Sequence, residues 1–186
     1  MVTKFEDLRI LKAAEKIADG IWKEIVQWND FSRDVVGKQI TRAADSIGAN
    51  IAESYGCFHY GEKLQFLYYA RGSLFETKYW LNRSASRQLL PVAQIQYYAD
   101  SLSKLAHQLN TFAASIKRQK AGKPAQIRER QETYLTNDAS LNIFLNDNLL
   151  SLFTEDELLF IKTVSPIEDK QSPNLPISQL QSSQKE

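Results

Sequence analysis

Apolar residues recur at steps of three and four along four segments of the first 120 residues. This spacing places them on one face of a helix, so it predicts four amphipathic helices. The apolar positions of the four segments run from Ile10 to Trp28, from Val36 to Tyr55, from Leu64 to Tyr79 and from Val92 to Ile116.

Several residues mark where these helices begin and end. Thr3 and Glu6 have the spacing of a capping box, which predicts that the first helix begins near residue 4. Gly56 is a typical helix stop, and Pro91 suits the first turn of the fourth helix. Gly72 lies inside the third helix, where glycine costs about 1 kcal/mol relative to alanine. We therefore expect another group to approach closely at Gly72.

The links between the predicted helices, WNDFSRD and SASRQLL, are short. Short links make consecutive helices antiparallel neighbours. The sequence therefore predicts an all-α fold, an antiparallel up-and-down four-helix bundle over residues 1–120 with a C-terminal extension. No pair of strictly alternating segments suggests a sheet in this region.

The chain changes character after residue 120. AGKPAQ is typical of a linker, and ASLNIFLNDNLLSLF and TEDELLFIK are short apolar segments. Thr154 and Glu157 form a second capping-box pattern before the last apolar run. We predict a linker with a short amphipathic helical extension over residues 121–164. Residues 165–186 are rich in Pro, Ser and Gln, so we predict a disordered tail.

Charge is distributed unevenly. The chain has a net charge of +1, but residues 1–120 carry 17 Lys and Arg against 12 Asp and Glu, whereas residues 121–186 carry 6 against 10. No apolar run is long enough to cross a membrane, and the N-terminus lacks the apolar segment of a signal peptide. With Cys57 as the one cysteine, we expect a cytoplasmic protein without disulfides.

Enzymatic chemistry finds little support in the sequence. Cys57 and His59 are close together in GCFHYG, but no third metal ligand or base stands beside them. His107 falls among polar positions of the fourth helix. Phosphate-binding, metalloprotease and serine-hydrolase motifs do not occur. We expect no catalytic residue, no metal site and no cofactor.

Asn50, Glu53 and Arg71 form a candidate polar cluster. Asn50 and Glu53 flank the apolar face of the second helix, and Arg71 lies in the middle of the third. A carboxylate, an amide and a guanidinium can satisfy one another where two helices pack, whereas each alone is costly to bury. We interpret the cluster as structural, and a catalytic Glu53 is the minority alternative.

Cations are concentrated at the end of the fourth helix. Phosphate binding requires clustered Lys and Arg, and several assembled copies would multiply the effect. Alternatively, cations collect at a helix C-terminus because the helix dipole favours them by about 0.3–1 kcal/mol each. Both explanations stay open. The candidate nucleic-acid ligands are Lys117, Arg118, Lys120, Lys123 and Arg128.

Two motifs carry a family resemblance over about residues 4–119. ITRAADSIGANIAESYG and FLYYARGSLFE resemble the small four-helix bundle proteins encoded in intervening sequences of bacterial large-subunit ribosomal RNA. The resemblance implies a bundle that forms a ring-like homo-oligomer, typically a pentamer. It also implies a likeness to accessory proteins of diversity-generating retroelements, which bind nucleic acid and a reverse transcriptase through a basic surface.

Three departures from the family pattern stand out. Gly48 replaces the usual proline, Ser54 and Tyr55 replace a Gly-Phe-like pair, and Cys57 takes a position that is often basic. Our leading hypothesis is a non-enzymatic oligomeric accessory or scaffold that binds RNA or DNA. The alternative is a protein-interaction module in which residues 139–163 dock on another subunit or on a separate partner protein.

Overall fold

The computed structural model describes residues 5–121 and 152–164, and every regular element in these two ranges is helical. The four long helices pack in an all-α bundle with a helical C-terminal extension, which confirms the predicted fold class. The helices are α1 (Arg9–Ile25), α2 (Lys38–Gly56), α3 (Tyr60–Ser86), α4 (Val92–Ala121) and α5 (Glu155–Lys162).

Consecutive helices of the bundle are neighbours, and α1 also contacts α4, which closes the bundle. The apolar stripes predicted from the sequence meet along its axis. Their burial supplies the main favourable free energy of the fold. Large apolar residues that are almost completely enclosed in the bundle include Ile21, Ile40, Ile47, Ile51, Leu67, Leu74, Leu81, Ile95, Leu102 and Leu105.

The start of α1 differs from the prediction. Glu6 lies in a separate 3-10 turn, Phe5–Asp7, and the helix begins at Arg9. Leu8 has extended backbone angles and provides no side-chain cap. Thr3 lies outside the described residues. The apolar side chain of Leu8 is buried, so packing against the core rather than capping fixes the start of α1.

The connection from α1 to α2 is itself helical. Asn29 caps a single turn, since its side chain accepts a hydrogen bond from the backbone N–H of Ser32 at 2.9 Å. A π-helical segment, Arg33–Gly37, then leads into α2. A Cβ atom on Gly37 would stand 2.7 Å from Cγ2 of Ile25. Glycine at this position therefore allows α2 to start against the end of α1.

The link between α3 and α4 depends on one left-handed residue. Gln88 has a φ of 55°. Its N–H donates to the carbonyl of Ala85 at 2.9 Å, and the N–H of Leu89 donates to the carbonyl of Ser84 at 2.9 Å. These two bonds are the Schellman arrangement, which satisfies carbonyls at the end of α3. Pro91 immediately precedes α4, and its carbonyl accepts a bond from Ile95.

Two expectations for α3 were wrong. Gly72 is exposed, and no group stands within 4 Å of a Cβ built on it, so nothing described approaches it closely. Tyr79, assigned to the apolar face, is 54% exposed. The buried line continues from Leu74 through Lys78 to Leu81 instead. A search for apolar residues at helical spacing passes over the buried Lys78 and assigns the exposed Tyr79 to the apolar face instead.

Candidate functional site

The candidate nucleic-acid ligands occupy the last turns of α4, as far as the structure describes them. Arg118 and Lys120 are exposed, and Lys117 is partly buried. Lys123 and Arg128 lie outside the described residues. Exposed cations at a helix C-terminus are stabilised by its dipole and remain accessible to phosphates.

Arg118 shares a surface groove of about 470 Å³ with Arg9, at the end of the bundle where α1 begins and α4 ends. Asp7 also lines this groove, and its carboxylate lies 3.8 Å from the ammonium of Lys12. Sequence inspection missed Arg9 because 109 positions separate it from Arg118. Only the antiparallel packing of α1 on α4 brings the two guanidinium groups to one groove.

The predicted cluster of Asn50, Glu53 and Arg71 does not form among the described residues. Asn50 does lie at the α2–α3 contact, where its amide donates to the carbonyl of Ser46 at 2.7 Å and to Oγ of Ser73 at 3.5 Å. Glu53 is exposed. Arg71 pairs with a carboxylate that is 86 positions away in the sequence. The prediction failed because the third helix turns Arg71 away from α2.

Arg71 binds the C-terminal segment, as we name residues 152–164. Its guanidinium donates to the carboxylate of Glu157 and lies over two rings, 5.0 Å from the centroid of Phe75 and 5.6 Å from that of Phe153. The rings shield the ion pair from water, which strengthens it. Glu157 also completes the predicted capping box with Thr154, which the structure confirms. Residues 139–151 of the predicted extension lie outside the description.

Lys78 is the most completely buried charged residue described, with no exposed surface. Its ammonium donates to the carbonyl of Thr163, just after the end of α5. Burial lowers the pKa of Lys78 to about 8, because removal from water disfavours the charged form. A cation is favourable next to a carbonyl at a helix C-terminus that has no partner within the helix, so Lys78 recognises the end of α5.

Two amides of α4 complete the contacts with the C-terminal segment. Asn110 donates to the carbonyl of Phe153 at 3.1 Å and accepts from the N–H of the same residue at 2.8 Å. Gln96 donates to the carbonyl of Lys162 at 3.3 Å. The buried apolar residues of the segment are Leu152, Phe153, Leu158 and Ile161. We name the surface that receives them the α3–α4 groove, after Arg71, Lys78, Gln96 and Asn110, which line it.

Comparison with known protein families shows to which family the chain is related. The family described as 23S rRNA-intervening sequence protein matches residues 6–111 of the chain, more than half of its length. The chain belongs to this family. A search of curated proteins finds no match. The match confirms the resemblance drawn from the two motifs of α2 and α3.

The 23S rRNA-intervening sequence family match ends before two of the features described above. Residues 6–111 include Arg71, Lys78 and Asn110, but neither the basic end of α4 nor the C-terminal segment. The residues that line the α3–α4 groove thus lie within the part of the chain that matches the family, whereas the segment that occupies it lies outside that part.

The residues weighed for enzymatic chemistry make none of the contacts with the C-terminal segment described above. Cys57 and His59 are in the α2–α3 link, and His107 is exposed on α4. Burial and the nearby carboxylate of Glu62 raise the pKa of the Cys57 thiol, which disfavours the reactive thiolate. Within residues 5–121 and 152–164, no group of three His, Cys, Asp or Glu side chains is placed to hold a metal ion. Nor is any helix in these ranges long and apolar enough to cross a membrane.

Proposed function

We propose that this 23S rRNA-intervening sequence family member is a non-enzymatic accessory protein that assembles into a ring-like homo-oligomer and binds RNA or DNA. We expect this ring to be a pentamer, which is the assembly that the family resemblance implies. The basic ends of α4 from several copies would form a collar of phosphate ligands, with Lys117, Arg118, Lys120, Lys123 and Arg128 from each copy. The observation that carries the proposal is the exposed Arg118, which shares a groove with Arg9 and is followed two positions later by the exposed Lys120.

Charge and geometry support the collar. A single copy offers few cations at this end, which by itself gives weak binding to a phosphate backbone. Several copies around an axis would place the same cations side by side and raise the local positive potential. Asp7 reduces the positive charge of the groove, so the cations on α4 would contribute more than Arg9.

An exposed apolar surface at the opposite end of the bundle supports assembly. Trp22 is 56% exposed and Val26 38%, and both line a groove of about 600 Å³ with Gly37. Phe31 and Val35, in the connection from α1 to α2, are 76% and 46% exposed. Clustered exposed apolar residues mark interaction surfaces. Because this surface lies near the start of α2, its burial between copies would leave the basic ends of α4 accessible.

The test is a comparison of two charge-reversal variants with matched net charge. Arg118→Glu with Lys120→Glu changes the basic end, and Lys16→Glu with Lys104→Glu changes exposed cations in the middle of α1 and α4. Binding to a labelled single-stranded RNA is measured by fluorescence anisotropy from low to moderate salt. We expect the first variant to bind more weakly and to lower the slope of log affinity against log salt by about 1.4 per copy in contact.

The control variant should retain most of the affinity and the full salt slope. Equal losses in both variants would show that net charge alone attracts RNA, without a collar at the end of α4. Absence of binding by the unmodified protein at low salt, to either RNA or DNA, would overturn the nucleic-acid proposal.

A second candidate function is docking of a partner protein through residues 139–163. It is supported by Leu159 and Phe160, which are 62% and 52% exposed on the outer face of α5. The inner face of the same helix already packs on the bundle through Leu158 and Ile161. A partner would therefore bind the outer face while the segment is docked.

A further inference from the structure

The α3–α4 groove recognises the backbone at both ends of the C-terminal segment. Asn110 binds both backbone polar groups of Phe153 before α5, and Lys78 binds the carbonyl of Thr163 after it. These contacts satisfy backbone groups at the two ends of α5 that the hydrogen bonds within the helix do not reach. Arg71 adds a carboxylate-specific contact near the start of the helix. The groove is thus specific for a short helix of fixed length with an acidic residue in its first turn.

The contacts have the character of an exchangeable interface rather than a permanent core. A buried lysine and a partly buried ion pair are costly to desolvate, and apolar side chains would pack there at lower cost. The Nε of Arg71 is buried and meets no acceptor within the described part of the chain. Interfaces that form and separate are more polar than obligate ones.

The chain that joins the end of α4 to the C-terminal segment is much longer than the distance between these two points requires. Phe153 is bound to Asn110, which lies eleven residues before the end of α4, or about 16 Å along the helix. Thirty residues, 122–151, join the two points. A chain of thirty residues can span up to about 100 Å, and as a random coil it has a root-mean-square length of about 30 Å.

We propose that the C-terminal segment docks in the α3–α4 groove of a second copy of this chain, and so links neighbouring copies. This proposal rests on the assembly proposed above. The contacts are the same whether the segment comes from the same copy or from a neighbour, so exchange loses none of them. An effective concentration is highest when the length of the connection matches the distance to be spanned. Two helices side by side measure about 20 Å, so a neighbouring groove lies within reach.

The geometry also accounts for a ring. The segment and the groove are different surfaces, so each copy donates one segment and receives another. Such a head-to-tail interface generates a closed ring when its rotation closes. Release of one segment would leave Lys78 and Phe75 of its neighbour exposed, which favours a filled groove on every copy.

Cross-linking in a double-cysteine variant tests the exchange. Gln96→Cys and Lys162→Cys, in a chain that carries Cys57→Ser, place two thiols where the Gln96 amide meets the Lys162 carbonyl. Arg71, Lys78 and Asn110 stay intact, and both substituted side chains are at least partly exposed. The full-length variant is treated with a short bismaleimide, and the products are separated on a denaturing gel. Its native mass is measured by light scattering.

The expected result is an oligomeric native mass with most of the cross-linked protein at the mass of a dimer or larger. The control replaces Gln96→Cys by Glu62→Cys, an exposed position sixteen residues before Lys78 on α3, about 24 Å away. It should give little cross-linking. A linked ladder in this control at the same yield would overturn the proposal, because random collision would explain both.

Two other outcomes separate this inference from the proposal on which it rests. An oligomer whose cross-links all stay within single chains would overturn the exchange and leave the proposed assembly intact. A monomeric mass by light scattering, with cross-linked monomers on the gel, would overturn the assembly and the exchange together. Capture of the segment by an unrelated partner would appear as oligomers without cross-links, and it too would overturn the exchange.

Discussion

At the scale of single residues, two glycines in the same bundle have opposite roles. Gly37 makes room for Ile25, which is 3% exposed, so any added atom must displace a packed side chain. Gly72 is exposed and has open space around its Cα. From the sequence we expected a close approach at Gly72 and not at Gly37, because a glycine in the middle of a long helix is less usual than a glycine in a link.

We expect Gly37→Ala to lower the free energy of unfolding by about 1–2 kcal/mol, since overpacking outweighs the better helix propensity of alanine. Gly72→Ala should raise it by about 0.5–1 kcal/mol through backbone entropy alone. Urea unfolding followed by circular dichroism measures both. If Gly72→Ala destabilises the protein instead, a second copy must approach that position in the assembly.

Other single residues explain where sequence patterns stop being informative. Gln88 adopts a left-handed conformation. Because a sequence predicts this conformation mainly at glycine or asparagine, the Schellman link could not be identified from the sequence. Lys78 was ignored because a buried lysine is rare. Both depend on neighbours that lie far along the chain or on the local backbone, which residue type alone does not specify.

At the scale of elements, the C-terminal segment is bound by charge as well as by apolar contact, and Lys78 makes its docking depend on pH. The pKa of Lys78 is about 8 in the folded protein and has an ordinary value of 10.5. Between these values the unfolded chain holds a proton that the folded state has released. Folded stability from this group therefore rises with pH across this window.

We expect the free energy of unfolding of the unmodified protein, minus that of Lys78→Met, to increase from pH 8 to pH 10.5. Methionine has a similar volume and does not titrate, so the variant lacks this contribution. Burial raises the pKa of Cys57 and raises that of Tyr98 to about 12, but both groups are present in the two proteins and cancel in the difference. Urea titrations at several pH values provide the measurement, and a flat difference would contradict the burial of Lys78.

The long helices were predictable because their apolar positions repeat over many turns. The capping box of Thr154 and Glu157 was predictable because it depends only on two residue types three positions apart. The site of docking was not, because Arg71 and Glu157 are 86 positions apart and nothing in their surroundings pairs them. The first helix also began later than its capping pattern indicated, since buried Leu8 decides where the chain enters the core.

At the scale of the whole molecule, the two ends of the bundle differ in chemistry. One end carries Arg9 with Arg118, and the other carries Trp22 with exposed apolar neighbours. Net charge summed over the sequence hides this polarity, because it averages over surfaces that lie tens of ångströms apart. The division of charge at residue 120 detected only that the bundle is more basic than the C-terminal region.

We expect Trp22→Glu to reduce the native mass measured by light scattering, because a buried carboxylate at a contact between copies is costly. The half-exposed position should allow the single copy to fold, and circular dichroism verifies this. Phe58→Glu is the matched control, since Phe58 is 88% exposed in the α2–α3 link, at the other end of the bundle. An unchanged mass in both variants would show that the apolar end is not a contact between copies.

The enclosed amine of Lys78 gives the groove a chemical reporter. While the C-terminal segment is docked, the amine is inaccessible to acylating reagents, whereas the exposed lysines of α4 react at once. Acylation of Lys78 must then wait for the segment to leave. Its rate, read by mass spectrometry of the tryptic peptides, counts departures of the segment from the groove without any substitution in the chain.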